Sequence, residues 1–167
     1  MLINHKILSV LLLCVLVSCS QQPSATQLYV VKIADGDTFT GLTADKRKVR
    51  VRISGIDAPE KGQPYGNKAK EALAEMIFNR TISIDSLSTD RYGRTLAKVY
   101  TPDGKDVGAE LIRQGLAWHY VKYSDSKLYT QIENEARKKQ VGLWQYHEIV
   151  PPWEWRKMTK EERERHR

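Results

Sequence analysis

Apolar and polar residues alternate along several short segments between residues 28 and 100, the pattern of β-strands that bury one face. In the clearest case, Val49, Val51 and Ile53 alternate with Arg50 and Arg52, so that one face is apolar and the other carries two arginines. Alternation, together with a high content of β-branched and aromatic residues, predicts five strands, over residues 28–33, 38–40, 49–53, 82–85 and 95–100.

Three other segments place apolar residues three or four positions apart, which predicts amphipathic helices. We predict N-caps at Asn67, at Asp106, and at Ser124 or Asp125. The inward positions are Ala69, Leu73, Met76 and Ile77 in the first helix, Val107, Leu111 and Ile112 in the second, and Leu128, Ile132 and Ala136 in the third. The second helix is expected to end at Gly115 and the third near Gly142.

Five strands in an antiparallel order, with helices after the third and the fifth, predict an α+β fold. The architecture we favour is a five-stranded OB-type Greek-key β-barrel with three α-helices, and an open α+β sheet is the alternative. The domain is expected to span residues 27–150. Residues 151–167 look irregular, and six Lys or Arg and three Glu from residue 156 onward suggest a basic tail that is frayed.

The first 18 residues have the pattern of a signal peptide rather than of a folded segment. Lys6 precedes an apolar run over residues 7–17, too short to span a bilayer in the mature protein. Leu16-Val17-Ser18-Cys19 resembles the lipobox of bacterial lipoproteins, which implies cleavage before Cys19 and its acylation. An ordinary secretory signal is the alternative. A polar tether, residues 19–26, would then link the lipid to the domain, at the outer membrane if two membranes are present.

Composition narrows the class of protein. With 167 residues, of which 41% are hydrophobic and 28% charged, the chain is typical of a single globular domain and not of a fibrous or disordered protein. A net charge of +7 favours a polyanionic partner, either nucleic acid or an anionic membrane. Both cysteines lie at or before residue 19, which excludes thiol catalysis in the mature domain, and the four histidines lack zinc-ligand spacing.

Two acidic segments carry candidate metal chemistry. Asp35-Gly36-Asp37-Thr38 joins the first two strands and reads, taken alone, as a tight turn. Arg52 is followed by Asp57-Ala58-Pro59-Glu60, in which a rigid proline separates two carboxylates. A surface salt-bridge cluster is the plain interpretation of this second segment. Clustered carboxylates nevertheless repel unless they share a cation, and oxygen ligands suit Ca²⁺ or Mg²⁺.

A third segment is basic. In Asp90-Arg91-Tyr92-Gly93-Arg94, two arginines flank an aromatic ring and a glycine that permits a positive φ. The segment is either a polar hairpin tip or a fork for phosphate, because guanidinium groups bind phosphate through two parallel hydrogen bonds.

Taken in order, these three segments closely resemble the thermonuclease family of staphylococcal-nuclease-like enzymes. The resemblance runs from about residue 30 to residue 144 and includes Arg113-Gln114-Gly115-Leu116-Ala117. It implies a five-stranded OB barrel with three helices and a Ca²⁺-dependent nuclease that leaves 3′-phosphate ends on DNA and RNA.

The resemblance also implies roles for individual residues. Asp37 and Asp57 would bind Ca²⁺ through their carboxylates and Ala58 through its backbone carbonyl. Glu60 would act as general base, and Asp35 would support the metal ligands from behind. Arg52 and Arg94 would grip the scissile phosphate. The other residues expected to contact substrate are Arg91, Tyr92, Tyr120 and Tyr123, of which the tyrosines either stack on bases or belong to the core. Apart from the resemblance, Lys46, Arg47, Lys48 and Arg50 add positive potential beside Arg52, and a solvated charge run is the alternative for the first three. The family's two tyrosines lie two positions apart, whereas Tyr120 and Tyr123 lie three apart.

The sequence therefore predicts an exported, lipid-anchored, Ca²⁺-dependent nuclease that acts on DNA or RNA as a monomer, without a protein partner. A non-catalytic nucleic-acid-binding OB module is the main alternative, although binding alone requires no carboxylates facing a polyanion. A Ca²⁺-stabilised envelope lipoprotein is a third possibility.

Overall fold

A computed structural model describes residues 25–166. The β-strands are β1 (Thr26–Ile33), β2 (Thr38–Leu42), β3 (Lys48–Ile53), β4 (Ile56–Asp57), β5 (Thr81–Thr89), β6 (Thr95–Tyr100) and β7 (Trp118–His119). The α-helices are α1 (Gly66–Ile77), α2 (Val107–Arg113), α3 (Lys127–Lys138), α4 (Pro152–Trp155) and α5 (Lys160–Arg165), and a 3-10 helix covers Gly142–Gln145. The signal peptide and Cys19 fall outside the described residues. Within residues 25–166, no helix has both the length and the apolar character that crossing a membrane requires.

Five strands close into a barrel in the order β1-β2-β3-β6-β5. This confirms the predicted α+β barrel with helices, and it rules out the open sheet. The expected antiparallel order is wrong for one pair of neighbouring strands, because β3 and β6 run parallel, with Arg52 opposite Leu96. Alternating residues indicate which face of a strand is buried, but they do not indicate whether the adjacent strand runs parallel or antiparallel to it.

The barrel interior is filled by the alternate positions that the sequence marked as apolar. Phe39, Val51 and Ile82 are fully buried there, and Leu73 and Ile77 of α1 belong to the same core cluster. A second, smaller cluster contains Trp118, Ala136, Leu143 and Trp144.

Two of the predicted helix starts are wrong. α1 begins one residue before Asn67, after Tyr65, which has a left-handed φ of 68° and makes no side-chain cap. α3 is capped by Ser126, whose hydroxyl accepts a bond from the N–H of Tyr129. Tyr129 is buried in place of the predicted Leu128, which is 55% exposed. The reason is a tertiary contact: the hydroxyl of Tyr129 donates to Asp106, the N-cap of α2, at 2.9 Å.

The C-terminal segment is not the irregular tail that the sequence predicted. Pro152 occupies the first turn of α4, and Trp155 at its end is only 3% exposed. Thr159 and Glu162 form a reciprocal capping box at the start of α5. Burial of an aromatic side chain and a complete cap therefore order a segment whose charge pattern suggested fraying.

Candidate active site

The turn between β1 and β2 holds Asp37 in a buried position. The carboxylate of Asp35 accepts a hydrogen bond from the N–H of Asp37 at 3.2 Å, which shapes the turn. The side chain of Asp37 then accepts bonds from the Thr38 hydroxyl at 3.0 Å and from the Ala58 N–H at 3.1 Å. Asp35 thus bonds the backbone of Asp37, and its support of a metal site stays a prediction. Ala58 contacts Asp37 through its amide N–H, and the predicted role of its carbonyl likewise stays a prediction.

A short strand pair outside the barrel positions the second acid. β4 pairs with β7, so that Asp57 lies opposite Trp118 and its side chain is fully buried. Arg52, on the outward face of β3, joins the two acids. Its Nη1 lies 2.9 Å from Oδ1 of Asp37, and its Nη2 lies 2.7 Å from Oδ1 of Asp57. One guanidinium therefore bridges a carboxylate from the turn between β1 and β2 and a carboxylate from β4.

Burial and mutual attraction shift the pKa values of Asp37 and Arg52. Burial raises the pKa of Asp37 from 3.8 to about 7, and the attraction of Arg52 offsets only part of that effect. For Arg52 burial acts in the opposite direction, but the two carboxylates outweigh it and raise the pKa of the guanidinium. Arg52 alone does not neutralise both buried carboxylates, and Arg156, which bonds both oxygens of Asp57, supplies a second positive charge.

Glu60 lies at the mouth of the site and is only partly buried. Its backbone N–H donates to the side chain of Gln63 at 2.9 Å, and its carboxylate accepts a bond from Nη1 of Arg156 at 2.7 Å. Arg156 also binds both oxygens of Asp57, at 3.2 and 2.8 Å. The structure therefore brings together Asp37, Arg52, Asp57, Ala58 and Glu60, and adds Arg156, which the sequence analysis had placed in the frayed tail.

The predicted phosphate fork lies on the hairpin between β5 and β6. Gly93 has a φ of 73°, and Nε of Arg94 lies 2.7 Å from Oδ2 of Asp90. Tyr92 is 65% exposed, with Cζ of Arg91 5.0 Å and Cζ of Arg94 5.5 Å from its ring centroid. In the described part of the chain, no bond joins this hairpin to the acids of the site. The predicted convergence of Arg94 with Arg52 therefore stays a prediction.

The two tyrosines expected to stack on bases lie after β7. Tyr120 is half-buried and stacks face to face on Trp153, with ring centroids 5.3 Å apart. Tyr123 is 70% exposed and packs its edge against Tyr120 at 4.9 Å. Trp153 thus covers one face of Tyr120, whereas the ring of Tyr123 is open to solvent. The basic residues Lys46, Arg47, Lys48 and Arg50 are all exposed.

The acids meet in pairs rather than as a group of three. Asp37 and Asp57 share Arg52, whereas Asp57 and Glu60 share Arg156. Across residues 25–166, no three side chains of the Asp, Glu, His or Cys type lie close enough together to hold a metal ion. The donor set still fits a hard cation, since both buried ligand candidates, Asp37 and Asp57, are carboxylates.

Sequence reasoning missed Arg156 and Gln63. The available signal was Pro151-Pro152-Trp153-Glu154-Trp155: two tryptophans close together are rarely left in water, so this segment had to pack somewhere. No signal in the sequence pointed to Gln63, whose role depends on contacts across the fold.

The fold and the site define a small barrel protein with buried acids and guanidinium groups at its rim. Residues 50–146 match the family described as staphylococcal nuclease homologue. An "uncharacterized endonuclease" from Haemophilus influenzae is 38% identical over 162 residues, covering 95% of this chain and 89% of that protein. "Protein ParB" from Escherichia coli is 42% identical, covering 91% of each chain. "Micrococcal nuclease" from Shigella flexneri is 38% identical, covering 78% of this chain and 80% of that one. The chain belongs to the staphylococcal nuclease family.

Proposed function

We propose that this protein is a Ca²⁺-dependent endonuclease that hydrolyses phosphodiester bonds of DNA or RNA without sequence preference and leaves 3′-phosphate ends. Family membership supports a nuclease acting on nucleic acid. The observation that carries the proposal is the bridge of Arg52 between Asp37 and Asp57, at 2.9 and 2.7 Å. A binding module for a polyanion has no need to bury two carboxylates beside its phosphate-binding arginine.

The residues of the site divide the reaction among them. Glu60 acts as general base and takes the proton of the attacking water. Arg52 and Arg94 bind the phosphate and stabilise the negative charge that develops on its oxygens. An arginine is a poor proton donor because its pKa exceeds about 12, so water delivers the proton to the leaving oxygen.

The oxygen donors of Asp37, Asp57 and the Ala58 backbone would hold the Ca²⁺ ion. When bound, the ion supplies positive charge beside the reacting phosphate. Arg91 and the aromatic residues Tyr92, Tyr120 and Tyr123 hold the substrate on either side. Stacking on bases and attraction to the phosphate backbone both tolerate any sequence.

A nuclease assay with residues 20–167 tests the proposal. We expect degradation of DNA or RNA with Ca²⁺, none with EGTA, and 3′-phosphate ends on the products. Glu60→Gln removes the base while keeping a side chain of similar size, so turnover falls about 10²- to 10⁴-fold with little change in nucleic-acid affinity. Equal activity in chelator would remove Ca²⁺ from the mechanism. Binding without any cleavage would support the non-catalytic module instead.

We further propose that the protein is exported and anchored to the cell envelope through lipid on Cys19. The support is the apolar run and the Leu16-Val17-Ser18-Cys19 segment. Several acyl chains on one residue give stable anchoring, which a single chain does not. Cys19→Ala should move the protein from the membrane fraction to the soluble fraction, and Cys14→Ala, matched in residue type, should not. Unchanged fractionation of Cys19→Ala contradicts the anchor.

A further inference from the structure

The side chain of Arg156 enters the candidate active site from the C-terminal end of α4. Its Nη2 donates to Oδ2 of Asp57 at 2.8 Å, and its Nη1 is shared between Oδ1 of Asp57 at 3.2 Å and Oε1 of Glu60 at 2.7 Å. The two guanidinium nitrogens therefore grip a fully buried carboxylate, and one of them also holds the carboxylate of Glu60. Arg156 lies ten residues beyond the end of the family match at residue 146.

In the described part of the chain, Arg156 is the only group bonded to the Glu60 carboxylate. Asp57 has a second partner in Arg52, so the bidentate contact of Arg156 with Asp57 serves as an anchor for the guanidinium. Because both terminal nitrogens of Arg156 are bonded to Asp57, the plane of the guanidinium is fixed. The bond from Nη1 to Glu60 must therefore lie along a direction set by that plane.

The backbone around Arg156 is held from both sides. Trp155 is buried, and Arg163 donates to the carbonyl of Trp155 at 3.0 Å and to that of Arg156 at 3.2 Å. Upstream, the side chain of Gln63 donates to the carbonyl of Val150 at 2.6 Å while accepting the bond from the Glu60 N–H. Gln63 thus ties the Glu60 loop to the same segment that carries Arg156.

A purely stabilising salt bridge does not account for this arrangement. The side chains of Arg156 and Glu60 are 39% and 36% exposed, and solvent screening makes ion pairs at that exposure weak. Pairing with the fully buried Asp57 stabilises the fold, but it does not require Nη1 of Arg156 to reach Glu60 as well. The contact matters more for the position of the Glu60 carboxylate, because a general base must lie within hydrogen-bonding reach of the water that it deprotonates.

We propose that Arg156 is a positioning residue of the nuclease site: it orients the Glu60 carboxylate, and the C-terminal segment exists to deliver it. This inference rests on the proposed function. It extends the active site beyond residues 50–146 and assigns a role to a segment that neither the motifs nor the family match covers.

The first test compares Arg156→Ala with Lys157→Ala in the full mature chain. Lys157 is the next residue, carries the same charge and pairs only with Glu154 in the described structure, which makes it a matched control. We expect kcat to fall about 10- to 100-fold in Arg156→Ala with KM changed less than about threefold, because the base is misplaced while phosphate binding persists. Lys157→Ala should retain wild-type kcat.

Two further measurements separate positioning from a general structural effect. Methylguanidinium added to Arg156→Ala should restore part of kcat in a saturable way, whereas NaCl at equal ionic strength should not. Arg156→Lys should be only a partial replacement, since an ammonium group cannot grip Asp57 with two nitrogens and still reach Glu60. Wild-type kcat in Arg156→Ala, or a loss that methylguanidinium leaves unchanged, overturns the proposal.

An activity-independent readout distinguishes failure of this inference from failure of the proposed function. At low ionic strength, where a partly exposed ion pair is least screened, the Tm changes of Arg156→Ala, Glu60→Ala and the double variant should be non-additive, because the single changes remove one shared contact. The non-additivity should shrink in high salt, and additive changes at low salt overturn the inference whether or not the protein cleaves. If the wild type does not cleave but the coupling is present, the proposed function fails while the contact stands. Arg156→Gln replaces Arg156→Ala if the alanine variant does not fold.

Discussion

The guanidinium Nη1 of Arg52 lies 2.9 Å from Oδ1 of Asp37, although the two residues are 15 positions apart in the chain. The register of β2 and β3 creates this contact, since Thr38 pairs directly with Arg52 across the two strands. A residue of the turn and an outward residue of the strand are thereby brought to the same edge of the barrel. The contact follows from strand pairing and requires no loop rearrangement.

Arg52→Lys should lower kcat about 10²- to 10³-fold, because an ammonium group cannot bond two carboxylates and a phosphate with a planar fork. Steady-state cleavage of DNA with saturating Ca²⁺ measures the effect. Arg80→Lys, an equally conservative change at an exposed residue that bonds the Met76 carbonyl, serves as control and should leave kcat unchanged. Full activity of the Arg52→Lys variant would contradict the role proposed for the Arg52 guanidinium.

The raised pKa of Asp37, about 7 instead of 3.8, makes the stability of the metal-free protein depend on pH. The folded state binds this proton more tightly than the unfolded state does. The contribution of Asp37 to stability is therefore fully present below pH 3.8 and is lost as the pH rises through about 7. Asp37→Asn carries no charge at any pH and should flatten this decline.

Urea unfolding in EGTA between pH 4 and 8 measures this dependence. Asp45→Asn is the control, because the pKa of the exposed Asp45 is lowered by its hydrogen bonds to Thr43 and Arg47. The contribution of Asp45 is present above pH 3.8 and lost at lower pH, so its removal should not alter the slope between pH 5 and 8. Parallel curves for the wild type and Asp37→Asn over that range would contradict the raised pKa.

Gly66→Ala should displace Glu60. A Cβ atom at Gly66 would collide with the carbonyl oxygen of Glu60, and backbone atoms cannot move aside as a flexible side chain can. We expect a lower Tm and a fall in kcat of about 10-fold or more through the misplaced base. Asn67→Ala, one residue later and exposed, makes no cap in the structure and should keep both values.

Tyr129→Phe tests a contact that stabilises the fold without entering the site. The Tyr129 hydroxyl lies 2.9 Å from both carboxylate oxygens of Asp106, and burial together with the neighbouring Asp106 carboxylate raises the pKa of the tyrosine. Loss of the hydroxyl leaves a half-buried carboxylate without this donor and should cost about 1–3 kcal/mol. Chemical unfolding measures the cost, and kcat at 25 °C should be unchanged. If kcat fell by a factor equivalent to the measured loss of stability, α3 would contribute to catalysis and this prediction would be wrong.

The local elements of this fold were predictable because their signals are local. Alternating residues in β3 determine which side chains enter the barrel, so the pattern alone predicts Val51 and Ile53 in the core and Arg52 on the outer face, as the structure has them. Asp106 caps α2 as predicted, because a cap depends only on the residue and the turn that follows it.

Predictions that required knowledge of a distant partner were incomplete. Leu128 and Tyr129 both have a helical spacing to Ile132, so the pattern does not decide between them. Tyr129 is the one that is buried, where its hydroxyl bonds the carboxylate of Asp106, 23 positions away. By sequence, Arg156 is one more charge in a basic segment. Its neighbours in the chain carry no information about Asp57 and Glu60, which lie 99 and 96 positions away.

The sequence by itself determined the barrel strands, the acidic and basic segments and the resemblance to a nuclease family, because periodicity and motif spacing are properties of neighbouring residues. Only the tertiary structure decided that β3 and β6 run parallel, that the acids meet in pairs across arginines, and that Arg156 reaches Glu60. Pairing direction and contacts between remote side chains depend on how the whole chain closes, and that information is distributed over every element that packs against them.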